Sequence, residues 1–308
     1  MKLNEISFTR KFLVLFLAVF IIASCGDGKE SAQEGDLLED INEGDSTKPE
    51  ISQETLNAII QQIPSPLEIS VLLKESGHQY NKSTLNSSDN ASNYNTNFEK
   101  ALNLGIYGTD LGYTNIYEQN QDGIVYLSSI KELADELNIG QFFDFNTIKR
   151  LATNSNNLDS LLLITTKNFN DINSYLQEQR RANLSILLLT GGWLEALHIA
   201  EQVYKEKPES DALREKIGEQ KIILENIMLL LSFYNDDPDI AKLETEMRKL
   251  ADVYADIEIK YTYGESTFKE VDGVLTIVQE TTSEIIMSDE QLEKIIEITS
   301  EIRKNIIS

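Results

Sequence analysis

Proline placement constrains this chain more than any other feature. After residue 50 only Pro64, Pro66, Pro208 and Pro238 occur, each between stretches of helical periodicity and none inside one. Proline lacks the amide proton and clashes with the preceding turn, so it ends a helix. Long proline-free stretches with apolar residues three and four apart are therefore open to helix. The spacing predicts helices over Gln53–Ile63, Leu67–Ser76, Thr96–Glu118, Asp122–Leu137, Phe145–Ala152, Leu158–Gln177, Ala182–Lys205, Ser210–Asn235 and Pro238–Glu258.

Local signals sharpen these limits. Asp237 before Pro238 reads as an N-cap with proline at the first helical position. Gly77 and Gly140 read as helix stops, and the Asn- and Ser-rich run Asn81–Asn95 as a loop. One segment breaks the rhythm: between Ile257 and Met287, β-branched and aromatic residues flank Asp272-Gly273, a two-residue hairpin signal. Ser288 and Gln291 then form a capping box opening a last helix through Ile306. The expected fold class is all-α, a multi-helix bundle with a small β-hairpin insertion near the C-terminus, in one globular domain over residues 51–308. Glu225–Tyr234, apolar nearly all round, is expected to be its buried central helix.

Within "LGIYGTDLGYTNIY", Gly105, Gly108 and Gly112 continue from Ala101 as one smooth helical stripe, and Gly192, Ala196 and Ala200 form a second. Each glycine costs a helix about 1 kcal/mol relative to alanine, so a close helix–helix contact is expected to offset it. Tyr107, Tyr113 and Tyr117 are expected to pack around that contact with hydroxyls at its rim. The competing reading makes the segment a small-solute pocket lined by Tyr107, Tyr113, Tyr117 and Trp193. A phosphate cradle would need a strand before the glycines, and the pattern there is helical.

The N-terminus has the order of a secretory leader: Lys2, Arg10 and Lys11, then an uncharged apolar run from Phe12 to Ala23. Twelve residues are too few to span a bilayer as a helix, which takes about 20. The run ends in Ile22-Ala23-Ser24-Cys25, which resembles the lipobox of bacterial lipoproteins. That resemblance implies a signal peptide over residues 1–24, cleavage before Cys25 and covalent lipid on its sulfur and amino group, with no other cofactor expected. Several acyl chains on one residue give the lasting anchor that a single chain does not. Cys25 is the only cysteine, which excludes an intramolecular disulfide. Residues 25–50 follow as an acidic tether with too little apolar surface to fold. Gly26 after the cysteine, in place of aspartate, resembles the sorting pattern for the outer membrane. The mature chain as a whole resembles helical envelope lipoproteins of Bacteroidota, which implies a binding or assembly role in the cell envelope, with an envelope protein as partner.

Charge removes one class of function. Losing Lys2, Glu5, Arg10 and Lys11 with the leader takes 51 acids and 27 bases to 50 and 24, an excess that repels nucleic acid and anionic headgroups. No catalytic residues are assigned: there is no Gly-x-Ser-x-Gly elbow, and only His78 and His198 offer imidazole. Both follow a glutamate by three residues, Glu75 and Glu195. Paired Glu-x-x-His units resemble the ligand set of di-iron bundles, although Gly77 between Glu75 and His78 works against a shared helical face. The acidic loop Glu39–Glu50 has Ile41 where a calcium loop needs an oxygen ligand. Three readings follow: a non-catalytic, lipid-anchored binding or assembly module, a metal protein using Glu75, His78, Glu195 and His198, or a lipoprotein that binds a small solute.

Overall fold

The computed structural model describes residues 52–63, 73, 77–152, 158–271 and 274–308. These form α1 (Gln53–Ile60), α2 (Asn97–Ile116), α3 (Asn120–Glu136), α4 (Phe145–Ala152), α5 (Leu158–Glu178), α6 (Ala182–Glu206), α7 (Asp211–Ser232), α8 (Pro238–Ala255), β1 (Glu258–Val271), β2 (Val274–Ile286) and α9 (Asp289–Ile307). The chain is an all-α bundle with a hairpin near its C-terminus, within a compact unit spanning Lys48–Ser308. Of the helix expected over Leu67–Ser76, only Leu73 lies among the described residues.

The caps follow the sequence closely at helix starts. Thr96 and Glu99 close a capping box on α2, Asp237 accepts from the amides of Asp239 and Ile240 ahead of Pro238, and Ser288 and Gln291 close a box on α9. Helix ends differ. Three helices stop with a non-glycine residue in the left-handed region, Glu118 (φ 60°), Asn138 (φ 59°) and Arg180 (φ 57°). At each, the next amide bonds back five residues, as Arg181 N–H does to Leu176 C=O at 2.7 Å, which is the Schellman arrangement. Gly140 is therefore not the stop of α3. Asn138 fills that role, and Gly140 opens a short 3-10 turn, Gly140–Phe142.

The run Asn81–Asn95 is not plain loop either, since it holds two 3-10 turns, Lys82–Thr84 and Ser88–Asn93. The hairpin fills the segment expected for it, with strands of 14 and 13 residues. Val271 pairs with Val274 across Asp272-Gly273, which lies outside the described residues, and the register shifts between Tyr263 and Ser266.

The most buried helix is α6, not the Glu225–Tyr234 segment. α6 is apolar and long enough to match a membrane span, yet it is largely buried within the bundle. On α7, Ile217, Leu224, Ile227 and Leu231 face the core, whereas Leu229 is 45% exposed. A stripe four residues wide satisfies the neighbours α7 has, and its other face meets water.

Candidate ligand-binding site

α2 and α6 approach backbone to backbone, and small residues allow it. A Cβ on Gly105 would sit 2.0 Å from the Leu188 carbonyl oxygen, and one on Gly191 would sit 2.0 Å from that of Leu102. Only glycine admits contact of backbone against backbone at that range. Thr109 ties the two helices by donating its hydroxyl to Gly192 C=O at 3.0 Å and, more weakly, to Gly105 C=O at 3.3 Å.

Gly108 behaves differently. Gly108 is exposed; among the described residues nothing lies within 4 Å of where its Cβ would be, and it lines a pocket of about 290 Å³. The walls are apolar, with Leu104, Ile130 and Ile172 almost fully buried and Phe143, Phe169 and Leu188 partly so. Exposed Gln61, Thr166 and Asn170 place neutral polar groups at the rim. Among the described residues that line the cavity, none is charged, in a chain that carries a formal −24. Its size sits near the low end for small-molecule sites, about 300–1,000 Å³, and apolar walls with a few polar groups are their usual chemistry.

The four residues expected to line a solute site lie elsewhere. At about 100° per residue, Tyr107 and Tyr117 fall on the side of α2 away from Gly105 and Gly108, and Tyr113 lies about 80° round from Gly105. Tyr107 and Tyr113 are fully buried; Tyr107 donates to Ser87 C=O at 2.7 Å, and Tyr113 accepts from the Asn81 amide at 3.2 Å, so both hold down the 81–95 segment. Tyr117 packs 4.8 Å from Tyr113, ring centre to ring centre. Trp193 is buried and donates to Gln220 Oε1 at 3.0 Å.

The two histidines of the Glu-x-x-His pairs lie apart. Glu75 lies outside the described residues. His78 is buried with Nδ1 3.2 Å from Glu206 at the end of α6, and burial lowers its pKa, with Glu206 opposing and Lys207 adding to the shift. His198 lies eight residues earlier on that helix, about 12 Å along its axis. Its pKa falls to about 4, chiefly through burial and then through Arg303 nearby. Glu195 is occupied: Arg303 Nε and Nη2 donate to its two oxygens at 2.5 and 2.6 Å. Among the described residues no three His, Cys, Asp or Glu side chains converge as metal ligands.

What the sequence did not reveal is the buried polar cluster around that pair. Arg303 also donates to Thr84 C=O at 3.1 Å. Fully buried Asp110 accepts from the Asn86 amide at 3.2 Å, and its pKa is driven well above the carboxylate range by burial and by neighbouring Glu195, with Arg303 opposing. Asn86 bonds to Tyr94, Asn90 and Asn103, while Asn90 and Asn103 donate to the carbonyls of Ile307 and Ile306. The end of α9, with its otherwise orphan carbonyls, is thereby closed from outside the helix. A signal existed: Ile295, Ile296, Thr299, Ile302 and Arg303 share one face of α9, so Arg303 is a charge set in a core stripe, which demands a buried partner.

The fold and the site define an α-helical bundle with a pocket where α2 and α6 meet α5, whose described lining is apolar and uncharged. No family model, no curated protein and no solved structure matches the chain.

Proposed function

We propose that this chain is a lipid-anchored envelope protein, moored through Cys25 to the outer membrane, whose helical domain binds an uncharged, apolar small molecule. The observation that carries the binding role is Gly108. A mid-helix glycine costs about 1 kcal/mol, and here no described residue occupies the space that a side chain would take. Keeping that space open is the use that the position supports. The pocket's neutral lining favours uncharged ligands over the basic or acidic ones that the chain's overall field would attract or repel.

The test uses the chain from Cys25 onward, which retains the whole compact unit Lys48–Ser308. The apolar dye 1-N-phenylnaphthylamine should brighten on mixing with it, and Gly108→Leu should abolish the signal while circular dichroism stays unchanged. Absence of any dye binding, or equal binding by the leucine variant, would refute the pocket. Anchoring has its own check: the native polypeptide should begin at Cys25 and carry the mass of attached acyl chains.

A further inference from the structure

The hairpin has two outer edges, and they differ in how they are guarded. Among the described residues β1 and β2 pair only with each other, so each has an outer row of backbone N–H and C=O groups with no strand opposite. Such a row is a template for another strand, and proteins blunt it with charge, proline or a bulge. β1 has two of these guards: Glu258, Lys260, Glu265, Lys269 and Glu270 lie along it, and its register shifts between Tyr263 and Ser266. From Val274 to Gln279 β2 has no such guard. That run reads Val-Leu-Thr-Ile-Val-Gln, without charge, glycine or proline, and is β-branched at Val274, Thr276, Ile277 and Val278. The bundle fastens the opposite end of the hairpin. Ile285 packs on Gly218 of α7, where a Cβ would lie 2.3 Å from Ile285 Cγ2, and Lys221 and Arg214 donate to the carbonyls of Ile257 and Met287. At about 3.3 Å per residue, Val278 stands about 23 Å along the strand from Ile285. A two-stranded ribbon is marginal in water, and a third strand strengthens it.

We propose that a second copy of this chain supplies that strand, the two β2 edges pairing antiparallel about a two-fold axis at Thr276. The run is self-complementary in this register: Val274 comes opposite Val278, Leu275 opposite Ile277, and Thr276 opposite its own copy. Pairs of β-branched or apolar residues and pairs of threonines are those that stabilise neighbouring strands. A formal charge of −24 opposes self-association over the chain as a whole, and this run brings no charge into the contact. Because one patch serves both copies, the assembly closes at two. The contact is short, so the dimer is weak and depends on concentration.

The chain from Cys25 with Cys25→Ser has no thiol. In that background Thr276→Cys sets one thiol opposite its copy, with Cα atoms about 4.5–5.5 Å apart as in an antiparallel pair, inside the range that a disulfide spans. Gln279→Cys instead leaves the two positions about 20 Å apart along the strands. Under mild oxidation Thr276→Cys should give linked dimer at least about 10-fold faster than Gln279→Cys. Sedimentation equilibrium of the chain without either cysteine should show a mass that rises with concentration towards twice the monomer's and no further. Thr276→Glu should abolish the rise. Position 276 pairs with Lys269 inside the hairpin, so the glutamate suits the fold, whereas in the dimer it meets its own like charge. Adding Thr276→Lys protein to it should restore association. A mass that stays monomeric, growth beyond the dimer, or linkage as fast at 279 as at 276 overturns the proposal. So does an unchanged dimer in folded Thr276→Glu. The cysteine comparison and the sedimentation of the threonine-bearing chain decide the matter even if the glutamate variant does not fold.

Discussion

Gly105 and Gly108 stand one helical turn apart on α2, and alanine should have opposite effects at the two. At Gly105 the new Cβ would lie 2.0 Å from Leu188 O and 2.7 Å from Gly192 N, whereas ordinary contact begins near 3.4 Å. The obstacles are backbone atoms of α6, which have no rotamer to yield, so the helices must part by more than 1 Å at that point. Overpacking of this kind costs about 1–3 kcal/mol, and a gap of about 0.5–1 Å forfeits a quarter to a half of each dispersion contact along the seam. Alanine returns up to about 1 kcal/mol of helix propensity, which leaves a net loss of about 2 kcal/mol. At Gly108 no described residue opposes the methyl group, so the propensity gain of up to about 1 kcal/mol remains. The two variants should therefore differ by about 3 kcal/mol, or about 6–12 °C in melting temperature at about 2–4 °C per kcal/mol. Urea and thermal unfolding of the chain from Cys25, followed by far-UV circular dichroism, measures both. A Gly105→Ala protein as stable as the parent would refute the backbone-contact argument.

Further outcomes follow from the buried groups and the caps. Arg303→Met leaves Glu195 and Asp110 without their cation and should cost about 3–5 kcal/mol in urea unfolding. Glu201 is fully buried and burial raises its pKa well above the usual range. Its carboxyl is protonated in the folded state where the unfolded chain would ionise it, so it lowers stability as pH rises above its unfolded pKa, by about 1.4 kcal/mol per pH unit. Glu201→Gln should then stabilise the protein at pH 7, and the gain should vanish near pH 4. His198 has the opposite sense. With a folded pKa of about 4 against 6.5, the unfolded chain binds more protons below pH 6.5. The 2.5-unit gap corresponds to about 3 kcal/mol lost between pH 6.5 and 4, a loss that His198→Gln should remove from the pH–stability curve. Arg180, exposed and left-handed at the end of α5, should gain about 1 kcal/mol when replaced by glycine, read as a rise in melting temperature.

Helix positions were legible because they rest on short-range rules: the proline limits, the Asp237 and Ser288 caps, and three-and-four spacing all act within one turn of chain. The hairpin turn at Asp272-Gly273 was legible for the same reason. The stop residue of α3 was read as Gly140 instead of Asn138, because Asn138 accepts the left-handed conformation that glycine usually takes and the Schellman bonds hold it there. The glycine stripe was half legible. Its spacing implied a close helix contact, which Gly105 makes with Leu188 and Gly192. That Gly108, one turn on, opens on empty space depends on where α5 and Phe143 stand, and no local rule carries that.

The sequence by itself determined an all-α chain, its helix starts, its hairpin and the expectation of a lipid anchor at Cys25, because each is written in neighbours within a few residues. Only the tertiary structure decided which glycine packs and which lines a cavity. It alone joined Arg303 to Glu195 across 108 residues. Those outcomes depend on which distant surfaces exclude water together, and separation along the chain does not encode that.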